Sequence, residues 1–331
     1  MSALTIGLAI ALLAVLAAEF VNGWTDAPNA IATVVSTGVM TARQAIVMAV
    51  VMNTIGAMAG TAVAATVGKG IIAPSALTVP AITATMVSII GWGSMAARLG
   101  IPVSKSHALL AGLAGAGFAG GGLDALQWAG WEKVLVGMVS SLAVGFGGAF
   151  LLGRLITALC SKAAPTRAKR NFDRAQMASA AFMAFNHGLN DGQKFMGVFT
   201  MTLLAGGAIK EFHIQWWVIV VCALTMGIGT SFGGWRIIQT VGSKMTRLTS
   251  WQGFAATMAA SSTIYVASSY GVPLSTTHTI TSAVVGVSAS KRASDVRWGV
   301  LKKIVMAWFA TFPACALLAF VAALVANRLW A

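Results

Sequence analysis

Charged residues are scarce in this chain of 331 residues: 9% are Asp, Glu, Lys or Arg, whereas 57% are hydrophobic. Ordinary soluble domains carry about 25% charged residues, so this composition excludes that class and predicts an integral membrane protein. Cysteine is also rare. The three cysteines stand far apart without paired spacing, so neither a disulfide framework nor a cysteine metal site is indicated, and no cofactor is expected.

Acidic residues are the rarer charge, because 8 Asp and Glu stand against 22 Lys and Arg, for a net charge of +14. Such a surplus could indicate a nucleic-acid partner. The Lys and Arg residues, however, lie in short loops between apolar runs, which is typical of the cytoplasmic loops of membrane proteins. The richest cluster lies in the central connection at 157–174. We therefore expect a multi-pass protein of the cytoplasmic membrane, with this connection inside the cell and no nucleic-acid partner.

Long apolar runs recur at close to the length of about 20 residues that crosses a bilayer as a helix. They lack the alternating pattern of barrel strands, so an all-α membrane protein is predicted. We expect about 10 to 12 membrane segments, depending on whether the first helix of each half is broken. The apolar runs are 3–20, 44–67, 79–97, 134–155, 214–232, 253–267 and 304–326.

Two sequence motifs occur twice, in the same order. The first half has NGWTDAPNA from Asn22 and IPVSKSH from Ile101, and the second half has HGLNDGQKF from His187 and VPLSTTH from Val272. Each second copy follows its first copy by roughly half the chain length. The chain is therefore interpreted as a duplication.

The basic loops predict the topology of the two halves. If the central connection is cytoplasmic, each half has an odd number of crossings, so the halves have opposite orientations. The PVSKSH and PLSTTH segments lie between short apolar arms, which predicts re-entrant helical hairpins. Inverted repeats with broken helices are typical of secondary transporters, whose site lies near the membrane midplane. We predict repeats at 1–156 and 175–331, joined by the basic connection at 157–174.

Carboxylates lie within apolar sequence in both copies of the first motif. Asp26 lies at the end of an apolar run, where Gly23 and Pro28 are expected to interrupt the helix. Asp191 lies in the segment GLNDGQK. A carboxylate inside a bilayer costs about 2.5–3.5 kcal/mol on insertion scales, so both aspartates are predicted to be functional. The alternative is a loop carboxylate at the membrane surface.

Proline followed by hydroxyl residues marks each hairpin tip and predicts the N-terminus of a helix. Backbone amides at such an end bind anions, and two opposed tips could hold one tetrahedral oxyanion. Ordinary helix capping is the alternative interpretation. The residues predicted to bind the anion are Ser104, Lys105, Ser106, Ser275, Thr276, Thr277 and Lys194.

Other polar residues near the motifs are expected to hold the site residues in position without binding the anion themselves. His107 and His278 could carry protons or hold the tips. Glu19 could be an additional protonation site, a partner of a lysine, or an ordinary glutamate at a helix end. Asn22 and Thr25 complete this group.

On these residues the chain resembles the inorganic phosphate transporter (PiT) family of secondary carriers. The resemblance extends over essentially the whole chain, through both aspartate motifs and both hairpins. It implies inverted repeats, a homodimer in membrane lipid, and transport of phosphate with Na+ or H+. A possible Na+ site is implied at Asp26, Asn29 and Asp191. The residues assigned to the coupling ion and to substrate discrimination are Asp26, Asn29, Asp191, Asn190 and Gln193.

Three positions depart from the family pattern. Thr25 replaces the usual Asn, Lys105 replaces a usual hydroxyl residue, and Lys194 stands where the first copy has Asn29. If both lysines face the two aspartates, their ammonium groups can replace bound sodium; the alternative is that they extend to the membrane interface. We therefore predict a phosphate symporter that depends less on Na+ than its sodium-coupled relatives do, with protons on the carboxylates or histidines supplying the coupling.

Other functions compete with this interpretation. The same fold could carry sulfate or another tetrahedral oxyanion. An intramembrane aspartyl protease would also use two buried carboxylates, but it would not need duplicated proline–serine hairpins. An anion channel is usually built by symmetry between subunits rather than within one chain. No enzymatic activity is expected.

Overall fold

The structure is a computed structural model, and it describes residues 3–73, 76, 78–162 and 164–330. This part of the chain folds into helices and contains no named strand. The first half contains α1 (Ala3–Ser36), α2 (Ala42–Met58), α3 (Ala62–Gly70), α4 (Val79–Leu99), α5 (Lys105–Gly121) and α6 (Trp128–Leu159). The second half contains α7 (Pro165–His187), α8 (Gln193–Ala205), α9 (Trp216–Ser231), α10 (Trp235–Gln239), α11 (Ser250–Ser269), α12 (Thr276–Lys291) and α13 (Trp298–Trp330).

Both halves have the same order of elements. A motif-bearing segment comes first, which is α1 in one half and α7 with α8 in the other. A bent pair follows: α2 and α3 meet at 68°, and α9 meets the segment that begins with α10 at 66°. Each half then has a hairpin, α4 with α5 or α11 with α12, and ends in a long helix. This repeated order is what a duplication would produce, and the opposite orientation of the halves stays a prediction.

The prediction of an all-α membrane protein is confirmed. Within the described residues, five helices are long and apolar enough to cross a membrane, or up to seven spans if each bent pair counts as one. Large apolar side chains on α6 and α13 face outward, such as Val139, Leu151 and Phe309. The expectation of about 10 to 12 segments also counts the shorter or more polar helices α7, α8, α11 and α12, and it stays a prediction.

The two halves are packed across each other. Each hairpin packs on the last helix of the opposite half, so α5 lies against α13 and α12 lies against α6. Helix α1 crosses α9 closely: a Cβ on Gly23 would collide with the Met226 carbonyl, and one on Gly229 would collide with the Phe20 carbonyl. Small residues at such crossings let helix backbones approach each other in membranes. The motif segments and the hairpin tips therefore meet in the centre of one packed body.

The first motif does not interrupt its helix, contrary to expectation. Helix α1 continues through the motif with Pro28 inside it. Proline removes the hydrogen bond to the carbonyl four residues earlier, that of Trp24. Gly234, at the start of α10, lies against both Pro28 and the Trp24 carbonyl, so the irregular turn is buried by a neighbouring helix. Among the described residues, the sharp bends between helices lie instead between α2 and α3 and between α9 and α10. The second motif forms a π-helical turn at Gly188–Gly192, between α7 and α8.

Candidate functional site

The predicted site residues come together in the centre of the protein. Helix α1 contributes the first motif, the π-helical turn and α8 contribute the second, and the hairpin tips enter from both halves. Every residue predicted for the site, including the supporting residues, is at most 4% exposed. Burial of Lys105 and Lys194 excludes the alternative in which these lysines extend to the membrane interface.

The two hairpin tips touch each other. Ser104 is the N-cap of α5 and accepts a hydrogen bond from the His107 amide at 3.2 Å, and Ser275 caps α12 through the His278 amide at 3.2 Å. The Ser275 hydroxyl donates to the Ser104 hydroxyl at 2.8 Å. Capping is therefore the observed role of these two hydroxyls. Because both helices begin at this contact, the positive ends of their dipoles converge there.

Lys105 forms a buried ion pair with Asp26, with 3.1 Å between Nζ and Oδ1. Thr277, from the opposite hairpin, donates to the other carboxylate oxygen at 3.4 Å. The Asn29 side-chain amide donates to the Thr277 hydroxyl at 3.0 Å, and the Thr25 hydroxyl lies 3.3 Å from the Asp26 carboxylate. One aspartate thus joins α1 to both hairpins.

Lys194 forms an ion pair with Asp191 and also contacts both hairpin tips. Its ammonium group donates to the Ser106 hydroxyl at 2.6 Å and to the Leu274 carbonyl at 2.7 Å. Thr276 donates to the second oxygen of Asp191 at 2.8 Å. The second aspartate therefore repeats the arrangement of the first: one ammonium group and one hydroxyl from a hairpin.

The charges of this centre balance. Two lysines offset two aspartates, so the formal sum is zero with neutral histidines. Asp26, His187 and Asp191 place possible ligand atoms within 4.8 Å of one another, which is a geometry that could hold a cation. Both carboxylates, however, already have an ammonium partner. Lys105 and Lys194 thus supply the positive charge that a bound cation would supply.

Two residues that the sequence did not assign to the site also contact it. His187 approaches Asp191 at 3.2 Å through Nε2, and its Nδ1 lies 3.1 Å from the side-chain oxygen of Asn53 on α2. The spacing of four residues from His187 to Asp191 is the signal that could have identified the histidine, because such residues share a helix face. Asn53 offers no such signal, since its partners are distant in sequence.

Asn190 and Gln193 bond to neighbouring helices in this conformation. Gln193 accepts a hydrogen bond from the Val63 amide, near the start of α3, at 2.9 Å. Asn190 donates to the Ser268 hydroxyl of α11 at 2.8 Å. Both residues therefore hold the second motif to its surroundings, and their assignment to the coupling ion stays a prediction.

His107 and His278 pack against each other behind the tips. Their ring centroids lie 4.3 Å apart in an edge-to-face arrangement. Phe312 of α13 covers the ring of His107, and Trp308 covers that of His278. Within the described part of the chain, none of the four ring nitrogens has a hydrogen-bond partner. The two histidines thus connect the tips to α13 by packing.

The chain is similar to known proteins over most of its length. A model of the phosphate transporter family matches residues 22–319. A probable low-affinity inorganic phosphate transporter of Rhizobium meliloti is 41% identical, over 91% of this chain and 90% of the relative. One of the same description from Bacillus subtilis is 37% identical, over 95% of this chain and 96% of the relative. A solved structure of a sodium-dependent phosphate transporter superposes with a TM-score of 0.89 at 24% identity and covers 98% of this chain and 99% of its own.

Proposed function

The chain belongs to the phosphate transporter family, and we propose that it is a secondary transporter that imports inorganic phosphate across the cytoplasmic membrane with protons as the coupling ion. The matched relatives are transporters, so the expectation that the chain is not an enzyme is confirmed. Phosphate as the substrate class follows from the family. The symport mechanism, the coupling ion and the cytoplasmic location of the central connection belong to the proposal.

The contacts of the two lysines support this proposal most directly. Lys105 and Lys194 place two ammonium groups at the meeting point of the hairpin tips, where two helix N-termini also favour negative charge. A tetrahedral oxyanion that enters between the tips can accept hydrogen bonds from these ammonium groups and from the hydroxyls of Ser106, Thr276 and Thr277. The groups that now bond to one another would then bond to the anion.

Two carboxylates beside the ammonium groups favour phosphate over sulfate. Hydrogen phosphate carries a proton that it can donate to Asp26 or Asp191, whereas sulfate has none and would leave the carboxylate facing an anionic oxygen. A site built to accept a hydrogen bond from its substrate discriminates strongly against an analogue that cannot donate one. The sulfate alternative therefore requires that both aspartates turn away from the anion.

Proton coupling is proposed because ammonium groups already neutralise the aspartates. A sodium ion at Asp26 would have to displace Lys105, or bind beside it against its charge. The solved relative is described as sodium-dependent, and we propose that this chain differs from it in having fixed cations at the site. Opposite orientation of the two halves would let the closed centre open alternately to each side.

Transport by the purified protein in proteoliposomes tests the proposal. We expect labelled phosphate to accumulate at fixed external pH when the lumen is alkaline, with or without a sodium gradient. Arsenate should compete with phosphate, and sulfate should not. Strict dependence on sodium would refute proton coupling, whereas competition by sulfate alone would refute the proposed substrate. Passive equilibration without accumulation would indicate a channel.

A further inference from the structure

Glu19 is a buried carboxylate outside the two ion pairs. It lies on α1 with 0% exposure, seven residues before Asp26. Seven residues make nearly two helical turns, so both carboxylates lie on the same face of α1, about 10 Å apart along its axis. The alternative of an ordinary glutamate at a helix end does not hold, because α1 continues for 17 residues beyond Glu19, to Ser36.

The hydrogen bonding of Glu19 is incomplete. The Asn22 side-chain amide donates to Oε2 at 3.2 Å. The other carboxylate oxygen and the side-chain oxygen of Asn22 have no hydrogen-bond partner among the described residues. No Lys, Arg or His described in the structure lies within 4.0 Å of this carboxylate. Glu19 therefore differs from Asp26 and Asp191, each of which has an ammonium partner.

Ionisable groups on the surrounding elements give Glu19 a mixed electrostatic environment. Asp26 on the same helix and Asp191 on the π-helical turn repel a negative charge there, whereas Lys194 on α8 attracts it. From α9, the thiol of Cys222 also interacts with Glu19. A carboxylate buried without an ion-pair partner must bind a proton or a cation, because an isolated buried charge is too costly.

A proton fits this position better than a metal cation. Hard cations are held by about six or more oxygen ligands in proteins. The two oxygens without partners at Glu19 belong to Glu19 itself and to Asn22. The described group of residues that could hold a metal ion comprises Asp26, His187 and Asp191, and does not include Glu19. A proton needs only one carboxylate oxygen, and Oε1 is available for it.

We propose that Glu19 carries the coupling proton, one per transport cycle, and this inference rests on the proposed function. The proton binds to the Glu19 carboxylate on the outer side of the membrane and leaves it on the inner side. Asp26 and Asp191, which have lysine partners in this conformation, do not carry it. Phosphate adds negative charge to a centre whose formal sum is zero, so it binds more weakly when Glu19 is ionised. If phosphate binds beside Asp26, it lies about 10 Å from Glu19 along α1. At that distance and an effective dielectric constant of about 20, one unit charge on Glu19 changes the phosphate affinity roughly 15-fold. By linkage, bound phosphate favours the protonated glutamate by the same factor.

The test compares Glu19→Gln with the wild-type protein in proteoliposomes. Glutamine keeps the size of the side chain and can accept the hydrogen bond from Asn22, but it cannot release a proton. We expect phosphate exchange between equal phosphate concentrations on both sides to persist. Accumulation driven by an alkaline lumen should be lost, and the roughly 15-fold dependence of phosphate affinity on pH should disappear.

Two further variants complete the design. Glu19→Asp retains an ionisable group and should retain proton-driven accumulation, with a shifted pH dependence. Glu132→Gln removes an exposed carboxylate at the start of α6 and should behave as wild type. Accumulation by Glu19→Gln that still follows the pH gradient would overturn the inference. Loss of exchange as well, in a variant with the wild-type thermal midpoint, would overturn it too, since Glu19 would then be needed for binding. If the wild-type protein does not exchange phosphate, the proposed function itself fails.

Discussion

Replacement of Lys105 by serine should make transport dependent on sodium. The substitution removes the ammonium group that lies 3.1 Å from the Asp26 carboxylate and leaves a hydroxyl in its place. Asp26 is 3% exposed, so water cannot replace the lost partner without opening the site. A sodium ion can take the vacated place and bind Asp26 together with the new hydroxyl.

The size of the effect follows from the geometry of the pair. At 3.1 Å and an effective dielectric constant of about 20, the attraction is roughly 5 kcal/mol. Removal of one partner of a buried ion pair costs about 3–5 kcal/mol, because the remaining charge is uncompensated. If that cost falls on the state that binds phosphate, affinity without sodium should fall between about 100-fold and several thousand-fold. Sodium should restore most of it.

Phosphate uptake by proteoliposomes in sodium and in choline buffers measures this dependence. Lys105→Met serves as the matched control, because methionine has a similar length but offers neither a charge nor an oxygen ligand. Sodium should rescue Lys105→Ser and should not rescue Lys105→Met. Equal uptake by Lys105→Ser in both buffers, at the wild-type level, would refute the idea that Lys105 replaces a cation. So would a sodium requirement in the wild-type protein.

Three further predictions concern the second lysine, the tips and the helix crossings. Lys194→Met should reduce phosphate uptake by at least about 100-fold, because it leaves Asp191 uncompensated; near-normal uptake would contradict this. Ser104→Ala and Ser275→Ala should each cost about 1 kcal/mol of stability through a lost cap. The double variant should cost less than the sum in thermal unfolding, because the two hydroxyls share one hydrogen bond, and strict additivity would argue against their contact. Gly56→Ala should destabilise by about 1–3 kcal/mol, since its Cβ would collide with a backbone carbonyl of α7, whereas Gly120→Ala meets no atom and should have no effect. Equal thermal midpoints for the two glycine variants would refute the close crossing of α2 and α7.

Hydropathy predicted the long apolar helices but not their bends. The long runs at 134–155 and 304–326 lie inside α6 and α13, whose more polar ends extend past the apolar stretch. The run at 44–67 was expected to form one helix, whereas α2 ends at Met58 and α3 continues at 68°. Gly60 and Thr61 lie in that break, where Gln193 of the opposite half binds near the start of α3. A bend held by a distant residue leaves no trace in local hydropathy.

The helix caps were predictable because they depend on neighbouring residues, whereas the bends depend on residues distant in sequence. A proline followed by serine is a local signal, and Ser104 and Ser275 do cap their helices. The ion pair between Lys105 and Asp26 joins residues 79 positions apart, so sequence could suggest it only as a balance of charges. The bond of His187 to Asn53 spans 134 positions and depends on how α2 packs against α7, which no local pattern encodes.

The two ion pairs look equivalent but differ in what an opening of the site would do to them. Lys194 lies three residues from Asp191 on the same helical segment, so this pair can persist if the hairpins move. Lys105 lies on a hairpin tip, and Asp26 lies on α1, so the same movement would separate them. Helix α1 carries two buried carboxylates, Asp26 and Glu19. Among the described residues, the only ammonium group bonded to either of them is that of Lys105, on the hairpin. Each opening would therefore leave α1 in need of positive charge, which a proton can supply. The charge imbalance that would couple transport to protons is thus expected on α1, in the first half of the chain.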